Sequence, residues 1–349
     1  MGSSGRREGP LSPVAIIGWT GLAVMLIGGF LAALGGLNQS LYGAPAFVER
    51  YLDAIARDDI VSAAATPGVR LDQGDLAGAG LPADISTAML RSHVVDSGPE
   101  DVRVISDEAH DDGDHTVTVS YRLDTAIVQT AFEVSPIEPL YGLLHRWEFA
   151  TSPLAVIDVT AAQSPLFTVG SLTLDARATK TGDELTAFSQ TAPYLAIAPA
   201  VYEFAYQSTL LEAPPAQVIA EPGARTPVTV DSLPTEAFIE RVQVKVDEYL
   251  VDQCASQPVL QPAGCPFGVV VDDRIVGEPV WTILESPVVT LVPGDTTFEM
   301  PPTPGLAHIS VEVQSLFDGT FSTLEQDESF TLALDATVRP DGSISIQLR

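Results

Sequence analysis

Apolar positions fall in three rhythms along this chain. From Val14 to Leu37 they run almost unbroken, VAIIGWTGLAVMLIGGFLAALGGL, 24 residues without a charge. At 1.5 Å per residue, a helix of that length crosses a hydrocarbon core about 30 Å thick. The second rhythm is helical. Phe47, Val48, Tyr51, Leu52 and Ile55 recur on one face, with Glu49, Arg50, Asp53 and Arg57 on the other, which predicts an amphipathic helix. Asp58 and Asp59 then offer a cap for a short second helix through Val61 to Ala65. The third rhythm has a period of two: Val117, Val119, Tyr121 and Leu123 alternate with Thr116, Thr118, Ser120 and Arg122, as in a half-buried strand.

Further strands are predicted over Ile127 to Val134 and across HRWEFATSPLAVIDV, residues 145–159. The last third repeats the order. Ser232 and Pro234 are start signals, and Phe238, Ile239, Val242, Val246, Tyr249 and Leu250 lie at helical spacing. The run RVQVKV also alternates like a strand, but the longer stripe favours a helix over 235–253. Strands over Val280 to Val292 and Ile309 to Phe317 follow. A closing hairpin is predicted from Phe330, Leu332, Leu334 and Val338 through the turn Pro340, Asp341, Gly342 to Ile344, Ile346 and Leu348. Between these parts, Phe167 to Ile219 has no long helical stripe and many β-formers. A weak echo, WEFATSP at 147–153 and WTILESP at 281–287, hints that the first and last units are related.

The expected fold is therefore α+β: one N-terminal transmembrane helix, then two helix-plus-antiparallel-sheet domains flanking a small all-β domain. The expected boundaries are a cytoplasmic tail at 1–13, the transmembrane helix at 14–37, an α+β domain at 44–162, the small β domain at 165–225, and a second α+β domain with a cysteine loop at 232–349.

A signal-peptide apolar region runs only about 7 to 15 residues, so the 14–37 span reads as an uncleaved anchor. Arg6 and Arg7 precede it, and the first charge after it is Glu49. The positive-inside rule then places the N-terminus in the cytoplasm and the bulk of the chain outside. With 17 basic and 46 acidic residues the net charge is −29. Such a balance repels nucleic acid, whose binding needs Lys and Arg on the phosphates.

That location bears on the only two cysteines, Cys254 and Cys265, in DQCASQPVLQPAGCPFG. No Cys or His lies beside them to complete a tetrahedral zinc site, and C-x-x-C spacing is absent. An oxidising compartment favours a structural disulfide closing a Pro-rich loop, with free thiols or a redox role as the alternative.

Catalytic motifs are missing. No G-x-S-x-G occurs, and GAGLPA at 78–83 is an incomplete phosphate loop. His308 falls on the polar face of its strand and reads as solvated. The cluster DEAHDDGDH holds Asp107, His110, Asp111, Asp114 and His115, ligands of the right class for calcium or zinc. It also sits where a hairpin needs a polar turn, and Asp-Gly is a turn dipeptide, so the reading is a solvated turn with no metal and no cofactor.

The order of one span, a helix-plus-sheet unit, a β unit entered by Pro199-x-x-Tyr202, and a final unit carrying YLVDQCASQPVLQPAGCPFG resembles actinobacterial envelope proteins similar to the teicoplanin-resistance-associated membrane protein family. The flanking units resemble NTF2-like, or cystatin-like, folds. The N-terminal zinc-ribbon cysteines of many such proteins are absent here. The resemblance implies a non-catalytic protein of the bacterial cell envelope that binds another envelope protein or a cell-wall component. The alternative is an extracytoplasmic carrier or sensor of a small apolar ligand or lipid, held in an NTF2-like pocket.

Overall fold

The structure is a computed structural model and describes residues 13–78, 80–83, 85–178, 188–339 and 341–349. Arg6, Arg7, most of the expected tail and Pro340 of the last turn lie outside the described residues. Helix α1, Pro13–Ser40, carries no charge. None of its Trp19–Ser40 stretch is buried by the rest of the chain, and its length and composition suffice to cross a membrane.

The body is mostly sheet and forms two compact units. The first comprises the described part of Met1–Val156 with Leu195–Tyr202 and Ile219–Arg225. Its helix α2, Ala44–Ala56, buries the predicted stripe Phe47, Val48, Tyr51, Leu52 and Ile55. Asp59, rather than Asp58, caps α3, Ile60–Ala64, its carboxylate accepting from Ser62 N at 3.1 Å. After α4, Gln73–Gly78, four strands form an antiparallel meander in sequence order: β1 Glu100–Ala109, β2 His115–Leu123, β3 Ala126–Leu140 and β4 Leu144–Phe149.

Aromatic packing fills the space between α2 and this sheet. The Phe149 ring centre lies 5.0 Å from both Phe47 and Tyr51 and 5.8 Å from Phe132. Tyr51 Oη donates to Ala198 O at 2.6 Å, and Tyr202 Oη donates to Ile197 O at 2.9 Å. The Pro199-x-x-Tyr202 segment, entered by a cis Ala198–Pro199 peptide, is thereby tied to α2.

Strands β5 Ala155–Ala162, β6 Leu166–Val169, β7 Leu172–Asp175, β8 Ser189–Ala196, β9 Ala200–Gln207, β10 Leu211–Ala220, β11 Arg225–Asp231 and β12 Leu233–Pro234 make two further sheets. One has the order β11-β5-β8 and the other β12-β10-β9-β6-β7. Residues 165–225 hold strands and turns where described, and they are distributed over both compact units.

The second unit comprises the described parts of Ile157–Tyr194, Glu203–Val218 and Thr226–Arg349. Thr235 Oγ1 caps α5, Glu236–Glu248, by accepting from Phe238 N. The predicted 235–253 helix does not continue as one form, because Tyr249–Ala255 winds as a π-helix. The wider turn keeps both Leu250 and Cys254 on the buried side. Six strands follow: β13 Arg274–Ile275, β14 Val280–Glu285, β15 Val292–Pro293, β16 Phe298–Gln314, β17 Phe321–Val338 and β18 Ile344–Leu348. Their order is β13-β16-β17-β18, with β14 and β15 also pairing β16.

The sequence predicted the β16 strand only from Ile309, yet it begins at Phe298. Pro301 and Pro302 sit where the register slips between Met300 and Thr303, a bulge that tolerates their missing N–H groups. The echo tryptophans play parallel parts. Trp147 Nε1 donates to Tyr42 O just before α2, and Trp281 Nε1 donates to Val259 O just after the π-helix, each at 2.8 Å.

Cys254 and Cys265 are joined in a disulfide across a sequence separation of 11. The Gln257 side chain braces the loop from within: Oε1 accepts from Ala263 N at 2.8 Å, and Nε2 donates to Gln253 O at 2.7 Å and to Ala263 O at 3.2 Å. Beyond it, Phe267 packs on Trp281 and Phe330 with ring centres 4.8 Å and 5.3 Å apart. A loop of this size gives about 3 kcal/mol of entropic stabilisation, lowered here by prolines that already restrict the unfolded chain. Cys254→Ser is therefore expected to destabilise the second unit by about 1–3 kcal/mol, seen as a drop of several degrees in calorimetric Tm. An unchanged transition would show that the Gln257 bracing alone fixes the loop.

Candidate functional site

The acidic cluster is the turn of the β1–β2 hairpin. His110 N donates to Asp114 O at 2.8 Å, and Gly113 takes φ 93° at the bend. His115 Nδ1 lies 2.6 Å from Asp107 Oδ1, and its ring meets Trp147 edge-on at 4.7 Å. His110 Nε2 lies 2.8 Å from Thr116 Oγ1, while Asp112 Oδ1 accepts from Asp114 N at 3.1 Å. These groups pair two by two, and Asp111 adds no third ligand. Among the described residues no three His, Cys, Asp or Glu side chains converge on a point that could hold a metal ion.

His308 lies on the polar face of β16, as alternation predicts, but it is more engaged than a solvated side chain. The β16–β17 register sets it opposite Asp327. Its Nδ1 is 2.7 Å from Asp327 Oδ1, and its Nε2 is 2.6 Å from Glu325 Oε2. Hydrogen bonds accepted by Asp327, and then by Glu325, favour the protonated imidazole and raise its pKa above the ordinary value. Ser310 Oγ donates to Glu325 Oε1 at 2.8 Å, and that bond, followed by the one from His308, lowers the Glu325 pKa. With both ring nitrogens at hydrogen-bond distance from carboxylates of β17, His308 links two strands.

The cysteines offer no nucleophile, since both are in the disulfide and no free thiol exists among the described residues. Burial holds the phenols of Tyr51 and Tyr202 well above the ordinary tyrosine range. They act as neutral hydrogen-bond donors inside the first unit.

The second unit leaves an open groove beside its helix. Helix α5 directs Phe238, Val242 and Val246 into the core, but an adjacent face carries Arg241, Val244, Lys245 and Tyr249. Val244 is 48% exposed. Strand β18 is the edge of its sheet, bonded only to β17, and its alternation puts Ile344, Ile346 and Leu348 on one side. Between helix and edge strand lies an open groove of about 700 Å³, lined by these residues with Glu240, Gly342 and Ser343.

The floor of the groove is apolar and its rim is charged. Lys245 Nζ pairs with Glu248 Oε2 at 2.6 Å, an exposed pair that contributes little and is readily exchanged. Arg241 has no ion-pair partner among the described residues. The two hydroxyls of the lining are committed, Tyr249 Oη donating to Gly264 O and Ser343 Oγ to Asp341 Oδ1. Burial raises the Tyr249 pKa. The polar side chains of the lining are Glu240, Arg241, Lys245, Tyr249 and Ser343. The groove is suited to hold a long apolar body with an anionic end at Arg241 and Lys245.

Sequence reasoning named the α5 stripe and the β18 alternation separately but did not bring them together. The available signal was Val244, an apolar residue on the polar face of the helix. Compared with known proteins, the chain matches no family model and no curated protein sequence.

Proposed function

We propose that the chain is a single-span protein of a bacterial cell membrane, with its N-terminus in the cytoplasm and its bulk on the extracytoplasmic side, acting there by binding and not by catalysis. The uncharged α1 supports the span, Arg6 and Arg7 before it support the orientation, and the disulfide agrees with an oxidising compartment. The order of helix then antiparallel strands in each unit, α2 before β1–β4 and α5 before β13–β18, supports NTF2-like units. An envelope protein or cell-wall component is the broad class of partner.

One observation favours the narrower reading of a carrier or sensor: the groove between α5 and β18, with its apolar floor and its Arg241 and Lys245 rim. The ligand class it fits is a fatty-acid-like amphiphile. The test uses the full chain in nanodiscs with a diazirine-bearing fatty acid, irradiated and mapped by peptide mass spectrometry. Adducts are expected on 240–249 and 342–348. Ile346→Glu, which puts a charge into the apolar floor, is expected to cut them by about tenfold or more. Adducts spread evenly over the chain, or insensitive to Ile346→Glu, would overturn the groove as the binding site.

A further inference from the structure

A different part of the molecule bears on how the ectodomain meets the membrane. The apolar run ends at Leu37, and the next residue, Asn38, is clamped to the β3–β4 hairpin. Its Nδ2 donates to Leu143 O at 2.9 Å and its Oδ1 accepts from His145 N at 3.1 Å. The Trp147 Nε1 bond to Tyr42 O adds a further tie between β4 and the exit of α1. The tip of this hairpin is thereby held beside the C-terminal end of α1.

That tip is apolar and turned outward. Leu140 is 39% exposed, Tyr141 87% and Leu143 46%. Tyr141 has φ 55° and Gly142 φ 69°. A bulky aromatic residue in the left-handed region is conformationally unfavourable, and the Tyr141 ring is exposed. Tyrosine is the residue type that concentrates at membrane interfaces, with its ring in the apolar boundary and its hydroxyl in the headgroups.

Beside the tip lies a cleft of about 650 Å³ that Leu140, His145 and Trp147 help to line, together with Arg50, Arg57 and Arg146. Asp53 and Asp59 face it as well, and Asp59 is engaged in capping α3. None of the three arginines is ion-paired among the described residues, and Arg50 Nε donates only to Ala46 O at 3.0 Å. Arg57 attracts the Asp59 carboxylate across the cleft, and three arginines against two aspartates leave the lining with an excess of one positive charge, in a chain with 17 basic residues against 46 acidic. Guanidinium groups match phosphate geometry.

We propose that this hairpin tip and the arginine cleft form a second contact with the membrane that α1 crosses. Leu140, Tyr141 and Leu143 enter the interface at the C-terminal end of α1, and Arg50, Arg57 and Arg146 face anionic lipid headgroups. The contact rests on α1 being the transmembrane anchor. One helix leaves a domain free to swivel, whereas a helix and a hairpin clamped together set its orientation to the surface.

The test uses the full chain in nanodiscs with an environment-sensitive fluorophore on Tyr141→Cys. The native cysteines are bonded to each other, so the new thiol takes the label. The control is Asp124→Cys, in the turn at the other end of the 15-residue β3, about 55 Å away along an extended strand. Quenching by lipids spin-labelled near the headgroup is expected to be about threefold or more stronger at 141 than at 124. Replacing phosphatidylcholine in part by phosphatidylglycerol should increase it further, and Arg57→Gln with Arg146→Gln should remove that increase. Equal quenching at the two sites would overturn the tip contact. Indifference to phosphatidylglycerol would overturn the headgroup contact, as would an increase abolished by free inorganic phosphate but not by sodium chloride of equal ionic strength. Failure of the chain to travel with nanodiscs on size exclusion would overturn the anchor itself, and is read separately from the fluorescence.

Discussion

Helix α1 is uncharged over 28 residues, the rest of the chain leaves its Trp19–Ser40 stretch uncovered, and its length and composition suffice to cross a bilayer. The rest of the account depends on that constraint. As the anchor we propose, α1 would put the segments on either side in different compartments, would make the Cys254–Cys265 bond chemically sustainable, and would set the end of α1 and whatever is bonded to it beside the lipid surface. Asn38, at that end, holds the hairpin through two hydrogen bonds.

Within the body, each helix on its sheet meets the same requirement differently. Helix α2 has one apolar stripe, and Phe132, Phe149 and Tyr121 cover it. The cleft that remains beside α2 is lined by Arg50, Arg57 and Arg146 as well as by Phe47 and Tyr51. Helix α5 has a buried stripe and, beside it, Val244 and Tyr249 facing an edge strand. An edge strand must be covered, charged or occupied, and β18 presents isoleucines instead of charges. The groove lining is the more apolar of the two, with Val244, Ile344, Ile346 and Leu348 where the first unit's cleft has three arginines, and that difference supports the proposal of an apolar ligand in the second unit.

Much of this was legible in the sequence wherever one periodic pattern decided one element. The α2 stripe, the β2 alternation, the polar turn at 110–114 and the uncharged span all rest on local chemistry. Pro301, Pro302 and Pro304 hid the first half of β16, because proline argues against a strand until a bulge and flanking partners are known. The π-helical turn at Tyr249–Ala255 depends on burying Leu250 and Cys254 together, a tertiary demand. His308 was placed on the correct face, but its clamp needs Glu325 and Asp327, which only the register of two long strands brings near. The groove and the arginine cleft are likewise juxtapositions of residues distant in sequence. No single-element pattern contains them.

The central claim is that α1 is a membrane anchor with the two folded units outside. Protease added to intact cells stripped of outer wall layers, with the chain followed by antibodies to each end, tests it most directly. The account predicts digestion of everything after about residue 40, leaving a membrane-bound N-terminal stub. A body protected until the membrane is opened would contradict it, as would a chain released intact from membranes by alkaline carbonate.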